Sequence, residues 1–312
     1  MSIFTHFIDS SMSDILWFCR GNCIYSRRHG AKEWTPVREF DAPVVSVDYT
    51  GEILKIHGPA AFALLENGQV WYSFDQGQSW QQLELDAPVK ALAAMKRYCD
   101  EQHHYDKITP ETPETTLGDM QTLFLLTDNR IRCYAISPDL SFVFKGAINP
   151  VAADKIIGYR DYLMFISAKS QSVPILYVYN EESGIKKHTV SCPLKKVKGL
   201  VNFNNSPAML LNWGKIIVLT RLPVTGTLYP FKKGSSEDFP WPNKIVDMIC
   251  VDTLLYALLD NGEMHIGHPD LGWRKVRLPG DPVPENAPDD LGDMYNKGQT
   301  LLFEIFAREI FS

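Results

Sequence analysis

The residue types that perform chemistry in proteins are present in this 312-residue sequence, but they do not occur at the spacings of known catalytic motifs. The sequence contains no G-x-S-x-G nucleophile motif, no P-loop, no H-E-x-x-H zinc motif and no glycine-rich dinucleotide turn. His103, His104, Tyr105 and Asp106 include ligand types of several divalent metals, but adjacent histidines rarely bind one ion together. We interpret this polar segment as a solvated loop, and we predict no catalytic residue, no metal site and no cofactor.

The six cysteines do not form a second kind of chemical site. Cys19 and Cys23 are spaced as C-x3-C, and no second pair completes a zinc site. Four of the six lie inside apolar, strand-like runs, which is typical of reduced core residues: Cys19, Cys23, Cys133 and Cys250.

The composition indicates a globular protein. Hydrophobic residues make up 45% of the chain and charged residues 22%, and the net charge of -6 argues against a nucleic-acid binder. The N-terminal segment lacks the basic and apolar regions of a secretory signal, and no apolar run approaches the ~18 residues that span a bilayer. We therefore expect a cytoplasmic protein with no membrane partner.

A repeat runs through the sequence. Residues 63–70 (ALLENGQV) closely match residues 257–264 (ALLDNGEM), residues 125–131 are a third copy, and residues 18–24 are a looser fourth. Each copy is an apolar run, a tight polar turn and a second run, which predicts a β-hairpin. Asn-Gly in such a turn favours type I′, because both residues tolerate positive φ.

The hairpins belong to longer units. An apolar strand opens each unit near residues 3, 44, 89, 154, 197 and 244, so the period is about 42–47 residues with four strands per unit, apart from an insertion at about 96–118. Six such units are typical of an all-β, six-bladed β-propeller, in which neighbouring sheets bury each other's faces. We predict one domain over residues 1–312. The extension at about 280–312 is a closing strand, an amphipathic helix or part of a truncated seventh blade.

One motif points to a family. Ser73, Asp75, Gly77, Ser79 and Trp80 form the pattern S-x-D-x-G-x-S-W, with degenerate copies at residues 270–273 and 30–34. It resembles the Asp box, or BNR repeat, of a group of β-propellers that includes sialidases and many non-enzymatic proteins. Asp75 is expected to accept backbone N–H bonds across its turn, Gly77 to adopt positive φ, and Trp80 to pack beneath the turn.

The resemblance does not extend to sialidase chemistry. That activity needs three arginines on the substrate carboxylate, a tyrosine activated by a glutamate, and an acidic proton donor. The family's early R-I-P signature is absent, and the similar segments at residues 221–223 and 277–279 come late in the chain. No catalytic arginine can be carried over, so we predict a non-sialidase member of the family.

Three irregular segments are candidate binding loops, because propeller function usually lies in loops at the two faces. The insertion carries His103, His104 and Tyr105, and the other two segments are acidic, which suits a basic protein partner. Their candidate residues are Asp281, Glu285, Asp289 and Asp290 in one segment, and Glu237, Asp238 and Trp241 in the other. The alternative is that the acidic loops are merely solvated and that Trp241 fills a junction between blades.

These observations together predict a non-enzymatic, monomeric scaffold that binds another protein and no nucleic acid. An adaptor or a neutralising, immunity-type protein would use such a surface. The alternative is a carbohydrate-active enzyme or lectin that uses the central funnel, because the two acids of a glycosidase can come from any loops.

Overall fold

The computed structural model describes most of the predicted strands. The described residues are 3–6, 15–28, 31–50, 60–94, 122–128, 130–137, 139–149, 153, 155–159, 162–166, 175–180, 184–189, 197–203, 206–211, 216–219, 226–228, 245–251, 254–268, 271–284 and 297. Within them the chain forms 24 β-strands. A helix of the length and apolarity needed to cross a membrane does not occur in these ranges.

The strands follow one another in six sets of four. The first set is β1 Ile3–His6, β2 Ile15–Arg20, β3 Cys23–Arg28 and β4 Thr35–Glu39. The second is β5 Val44–Tyr49, β6 Ala61–Leu65, β7 Val70–Ser73 and β8 Gln81–Leu83. The third is β9 Ala91–Ala94, β10 Thr122–Leu126, β11 Ile131–Ile136 and β12 Phe142–Ile148. The fourth is β13 Lys155–Tyr159, β14 Tyr162–Ile166, β15 Ile175–Asn180 and β16 Gly184–Thr189. The fifth is β17 Val197–Phe203, β18 Ser206–Leu211, β19 Ile216–Leu219 and β20 Gly226–Leu228. The sixth is β21 Ile245–Val251, β22 Leu254–Leu259, β23 Met264–His268 and β24 Gly272–Val276.

Each set has the strand order of an antiparallel meander, and a short parallel pairing of β17 with β21 joins the fifth and sixth meanders. The observed first strands begin within two residues of the predicted positions. The prediction of an all-β fold of the β-propeller class with four-stranded blades is confirmed, with six meanders in the described residues. The insertion and the tail beyond residue 284 lie outside those residues, apart from Lys297.

The burial of the second strands shows why a single meander cannot be stable as an isolated sheet. Every residue of β6, β10 and β22 is buried, so these strands are covered on both faces. A twisted four-stranded sheet covers neither of its own faces, and burial of apolar side chains is the main favourable term in folding. A meander whose second strand is buried in this way therefore cannot be stable as an isolated sheet.

The chain divides into two compact units. The first contains residues 1–39, 196–220 and 227–312, and in it the sixth meander packs on the first. Their shared core consists of Leu16, Phe18, Leu254, Tyr256, Leu258, Met264, Ile266 and Val276. The Trp34 indole N–H donates to the carbonyl of Arg277 at 2.6 Å, and the Arg20 guanidinium donates to the carbonyl of Pro279. The two ends of the strand repeat are thus held together.

The second unit contains residues 40–195 and 221–226, and its described residues include two apolar cores. One core lies between the second and third meanders and includes Phe62, Leu64, Leu123 and Leu125. The other lies between the third and fourth meanders and includes Phe124 and Phe165. Because Phe124 and Leu125 are neighbours on β10, this one strand supplies side chains to both cores.

Three of the four cysteines that were predicted to lie in the core are buried and are not joined in disulfides: Cys19, Cys23 and Cys133. The side chain of Cys250 lies outside the described part of the structure. Burial raises the pKa of the Cys23 thiol above its ordinary value, so the neutral form is favoured.

The two matching Asn-Gly hairpins have identical hydrogen bonds but not the predicted turn type. Leu65 N–H donates to the carbonyl of Gln69 at 2.9 Å, and Gly68 N–H donates to the carbonyl of Leu65 at 2.9 Å. Only the glycine has positive φ, +83° in Gly68, so the loop contains three residues and ends in a G1 bulge. The predicted type I′ turn is wrong here, because Glu66 joins the loop and Asn67 keeps negative φ while its side chain accepts the N–H of Gln69 at 3.1 Å.

Gly68 lies in a place where no side chain fits. A Cβ atom there would come within 2.6 Å of Cβ of Pro88, and φ is +83°. We predict that Gly68→Ala lowers the free energy of unfolding by about 2–3 kcal/mol, because a left-handed alanine alone costs about 1–2 kcal/mol and the clash adds to it. Urea denaturation of the full chain measures the change.

Gly21→Ala is the matched control. Gly21 also has positive φ, at +62°, but no atom lies within 4 Å of the position a Cβ would take. This variant should lose only about 1 kcal/mol. Equal losses in the two variants would show that the contact between the turn and Pro88 has no structural role.

Candidate partner-binding site

The Asp75 turn joins β7 to β8 and is held by one carboxylate. Oδ1 of Asp75 accepts the Ser73 hydroxyl at 2.7 Å and the Ser79 N–H at 2.8 Å, while Oδ2 accepts the Ser79 hydroxyl at 2.5 Å. The Gly77 N–H donates to Oγ of Ser73 at 2.8 Å, and Gly77 has φ of +85°. Trp80 is buried beneath the turn, and its indole N–H donates to the carbonyl of Gly77 at 3.1 Å.

The hydrogen bonds favour the ionised form of Asp75. Burial raises the pKa of this carboxyl group, but donation from Ser79 and Ser73 outweighs the burial, so the pKa lies below its ordinary value of 3.8. The turn therefore carries a negative charge at neutral pH.

A related but shorter turn joins β11 to β12. Oδ1 of Asp139 accepts the Ser137 hydroxyl, the Ser141 hydroxyl at 2.8 Å and the Ser141 N–H at 3.3 Å. The donors are of the same three kinds as those to Asp75, and they lower the pKa of Asp139 below its ordinary value. The turn does not match the sequence motif, because it has two residues fewer and no glycine, and Phe142 stands where the motif has tryptophan. Leu140, like Gln76 after Asp75, has positive φ, at +64°. The signal is S-x-D-x-S followed by an aromatic residue.

An aromatic seam lies where the second meander packs on the third. It consists of Tyr72, Phe74, Tyr134, Phe142 and Phe144, all in the second compact unit. The Phe142 ring is 4.9 Å from that of Tyr72 and 6.0 Å from that of Phe74, with the two phenylalanine rings nearly parallel. Tyr72, Phe74, Tyr134 and Phe142 are partly buried against the core beneath them.

The outer end of the seam faces solvent. Phe144 is 55% exposed, and its ring is 5.6 Å from the Tyr134 ring. It lies on β12, which is the edge strand of its sheet. Because side chains alternate along a strand, Phe142 and Phe144 face the same side of the sheet, where they are paired with Ile136 and Tyr134, while the 42% exposed Val143 faces the other side.

An ion pair lies beyond the Phe144 end of the seam. The Arg132 guanidinium donates to both oxygens of Asp86, with Nη2 to Oδ2 at 3.0 Å. This fork ties β11 to the turn between the second and third meanders. Donation from Arg132 lowers the pKa of Asp86 below its ordinary value. Because Arg132 is paired with Asp86, the two side chains together add no net charge to this end of the seam.

The sixth meander holds another cluster that the sequence analysis did not single out. Nζ of Lys275 is 2.6 Å from Oε1 of Glu263, and Nε2 of His265 is 3.4 Å from Oε2. Donation from Lys275 lowers the pKa of Glu263 to about 2, while burial lowers the pKa of His265. Lys275 and His265 are directly opposite on β24 and β23, so the cluster braces two strands.

The sequence-predicted binding residues fall mostly outside the described ranges. Asp281 is described: its N–H donates to the carbonyl of Leu278 at 3.0 Å, and its Oδ2 accepts the N–H of Leu278 at 2.8 Å. Its role in binding stays a prediction. The others lie outside the described residues: His103, His104, Tyr105, Glu237, Asp238, Trp241, Glu285, Asp289 and Asp290. Within the described ranges, no three His, Cys, Asp or Glu side chains are grouped to hold a metal.

Comparison with known proteins finds similar folds only. No protein-family model matches the chain, and no curated protein matches it in sequence. Among solved β-propellers, BBS1N in complex with ARL6DN is 10% identical and covers 91% of this chain and 79% of its own, with a TM-score of 0.49. The nidogen–laminin complex is 10% identical, with coverage of 84% and 92% and a TM-score of 0.49. YCF48 bound to a D1 peptide is 11% identical, with coverage of 76% and 71% and a TM-score of 0.42.

The Asp75 turn makes stability depend on pH. Because the folded pKa of Asp75 is depressed, its contribution is fully present above the ordinary value of 3.8 and is lost as pH falls through the folded value. We predict that Asp75→Ala lowers the free energy of unfolding by about 1–2 kcal/mol at pH 7, where its donors lose their acceptor. Urea titrations from pH 7 to pH 3 should show this difference shrinking below about pH 4.

Asp260→Ala is the control, because Asp260 is exposed in a turn of the sixth meander. Its effect on stability should stay within about 0.5 kcal/mol at pH 7. A loss in Asp75→Ala that is the same at pH 3 and pH 7 would contradict the electrostatic role assigned to the carboxylate.

Proposed function

We propose that this chain is a non-enzymatic β-propeller scaffold that binds a partner protein, with the aromatic seam as the contact surface. The observation that carries the proposal is the exposure of Phe144 at the end of the seam, where its ring lies 5.6 Å from that of Tyr134. Single exposed apolar residues are common on soluble proteins, but one that continues a group of partly buried aromatic rings suits an interface. Aromatic side chains are enriched in the cores of such interfaces and among their hot spots.

The seam also has the rigidity that an interface anchor requires. Tyr72, Tyr134 and Phe142 pack against the buried core between two meanders, so their rotamers are constrained before any partner arrives. Phe144 is held against Tyr134 although more than half of its surface is exposed. Ordering costs little at such a surface, and this favours binding over a purely structural role.

The position of Phe144 on an edge strand adds a second reason. β12 pairs with β11 on one side only, at the end of its sheet. Edge strands with exposed apolar residues readily pair with other chains, and proteins usually protect them with charge or proline. β12 (FVFKGAI) contains one charged residue, Lys145, and no proline.

Two of its turns support a finer identity for the scaffold. We propose that it belongs to the Asp-box propellers, because the Asp75 and Asp139 carboxylates each accept serine hydroxyl and serine N–H groups between the third and fourth strands of two successive meanders. An adaptor or a neutralising, immunity-type protein would use a rigid surface of this kind, and we retain both as versions of the proposal.

Phe144→Ser tests the proposal. We predict that affinity capture from the native organism, followed by quantitative mass spectrometry, loses the partner with this variant. The affinity should fall at least tenfold, because removing a central aromatic anchor commonly costs about 2 kcal/mol or more. The free energy of unfolding should change little, because the ring is exposed.

Val283→Ser is the matched control, since Val283 is 40% exposed and lies after the sixth meander. Trp241→Ala and deletion of residues 97–117 test the surfaces predicted from sequence in the same assay. Capture of an identical set of proteins by Phe144→Ser and Val283→Ser would rule out the seam as the interface.

A further inference from the structure

The two Asp turns stand together at one end of the aromatic seam. Phe74 lies next to Asp75 in the sequence, Phe142 follows Ser141 in the Asp139 turn, and the two phenylalanine rings are 6.0 Å apart. The seam therefore passes between two carboxylate-bearing turns. Neither turn sequence, SFDQGQSW or SPDLSF, contains a lysine or arginine.

The two carboxylates differ in what they can still accept. The three donors that Ser137 and Ser141 supply to Asp139 all reach Oδ1, so neither serine occupies its Oδ2. The Asp139 side chain is also exposed. Asp75 is partly buried and uses both of its oxygens. Asp139 is thus the accessible acceptor, and Asp75 adds negative charge in the other turn.

We propose, on the basis of the function proposed above, that the partner places an arginine of an extended segment over the Phe74 and Phe142 rings, paired with Asp139. Aromatic faces attract cations, and the planar guanidinium stacks on rings while it donates to a carboxylate. The apolar residues that follow in the segment contact Phe144. A cation is the complement of this end of the seam, because each of the two neighbouring phenylalanines belongs to, or adjoins, a turn that carries a carboxylate.

A displayed library of random 12-residue peptides, selected on the full-length protein, is the probe. Peptides that bind the wild type but not Phe144→Ser report on the seam. We expect these peptides to be enriched in arginine, and we expect replacement of that arginine by glutamine to weaken binding about three- to tenfold in a fluorescence anisotropy titration.

Asp139→Asn should weaken the same peptides about threefold, whereas Asp260→Asn, an exposed aspartate on the sixth meander, should leave them unchanged. In the Asp139→Asn protein, the arginine-to-glutamine change should have little further effect, because the two groups act as a pair. A charge swap guards against misfolding: Asp139→Lys should bind the arginine-to-glutamate peptide better than the wild type does.

The possible failures are distinct. Peptides that depend on Phe144 but contain no arginine, or are indifferent to Asp139→Asn, would overturn the arginine pairing and leave the proposed scaffold function intact. A library that yields no peptide dependent on Phe144 would contradict the proposed function itself.

Discussion

Apolar packing between successive meanders is the interaction on which the rest of this molecule depends. The strands β6, β10 and β22 are buried along their whole length, so each is covered on two faces. A strand in this position cannot be stable in an isolated sheet, because its apolar side chains would face water. The sixth meander packs on the first, with Phe18 and Tyr256 in one core, so the first and last sheets of the chain also bury apolar side chains against each other. Stability is therefore a property of the repeated array, as in other repeat proteins.

The same packing determines where a partner can bind. The fully buried second strands of the meanders direct their side chains alternately into two cores, as Phe124 and Leu125 on β10 show. Such strands have no side chain exposed to solvent and cannot contact a partner. Outer strands have less to cover, and β12 leaves Phe144 exposed while Phe142 is held against Phe62 and Tyr72. The Asp75 and Asp139 turns fix the ends of these outer strands through carboxylates that bind two serines each. A surface with rigid rings and permanent negative charge follows from those local structures.

The fold could be predicted from the sequence, whereas the site could not. Repeated apolar runs and turns gave strand positions that β1, β5 and β17 match, because period and burial are both encoded locally. The turn type failed at Asn67, because the register of the flanking strands, and not the dipeptide, decides how many residues a loop contains. The Asp139 turn was not recognised because it is two residues shorter than the motif and contains no glycine.

The aromatic seam could not be predicted from the sequence, for a different reason. Tyr72 and Phe142 are 70 positions apart, on sheets whose contact no local pattern describes, although their rings are only 4.9 Å apart. The exposed state of Phe144 is equally non-local, because its neighbour Phe142 has the same residue type and a different environment. The sequence analysis predicted the charged loops as binding segments instead, because composition can be read from a sequence, whereas the contact between residues on different sheets cannot.

Hydrogen exchange on the full-length chain tests the packing claim most directly. Leu258→Ala opens a cavity in the core shared by the sixth and first meanders. If these sheets stabilise each other, exchange should rise at β2 (Ile15–Arg20) as well as at β22 (Leu254–Leu259), because the two form one cooperative unit. Faster exchange confined to the sixth meander, with β2 protected as in the wild type, would contradict the account.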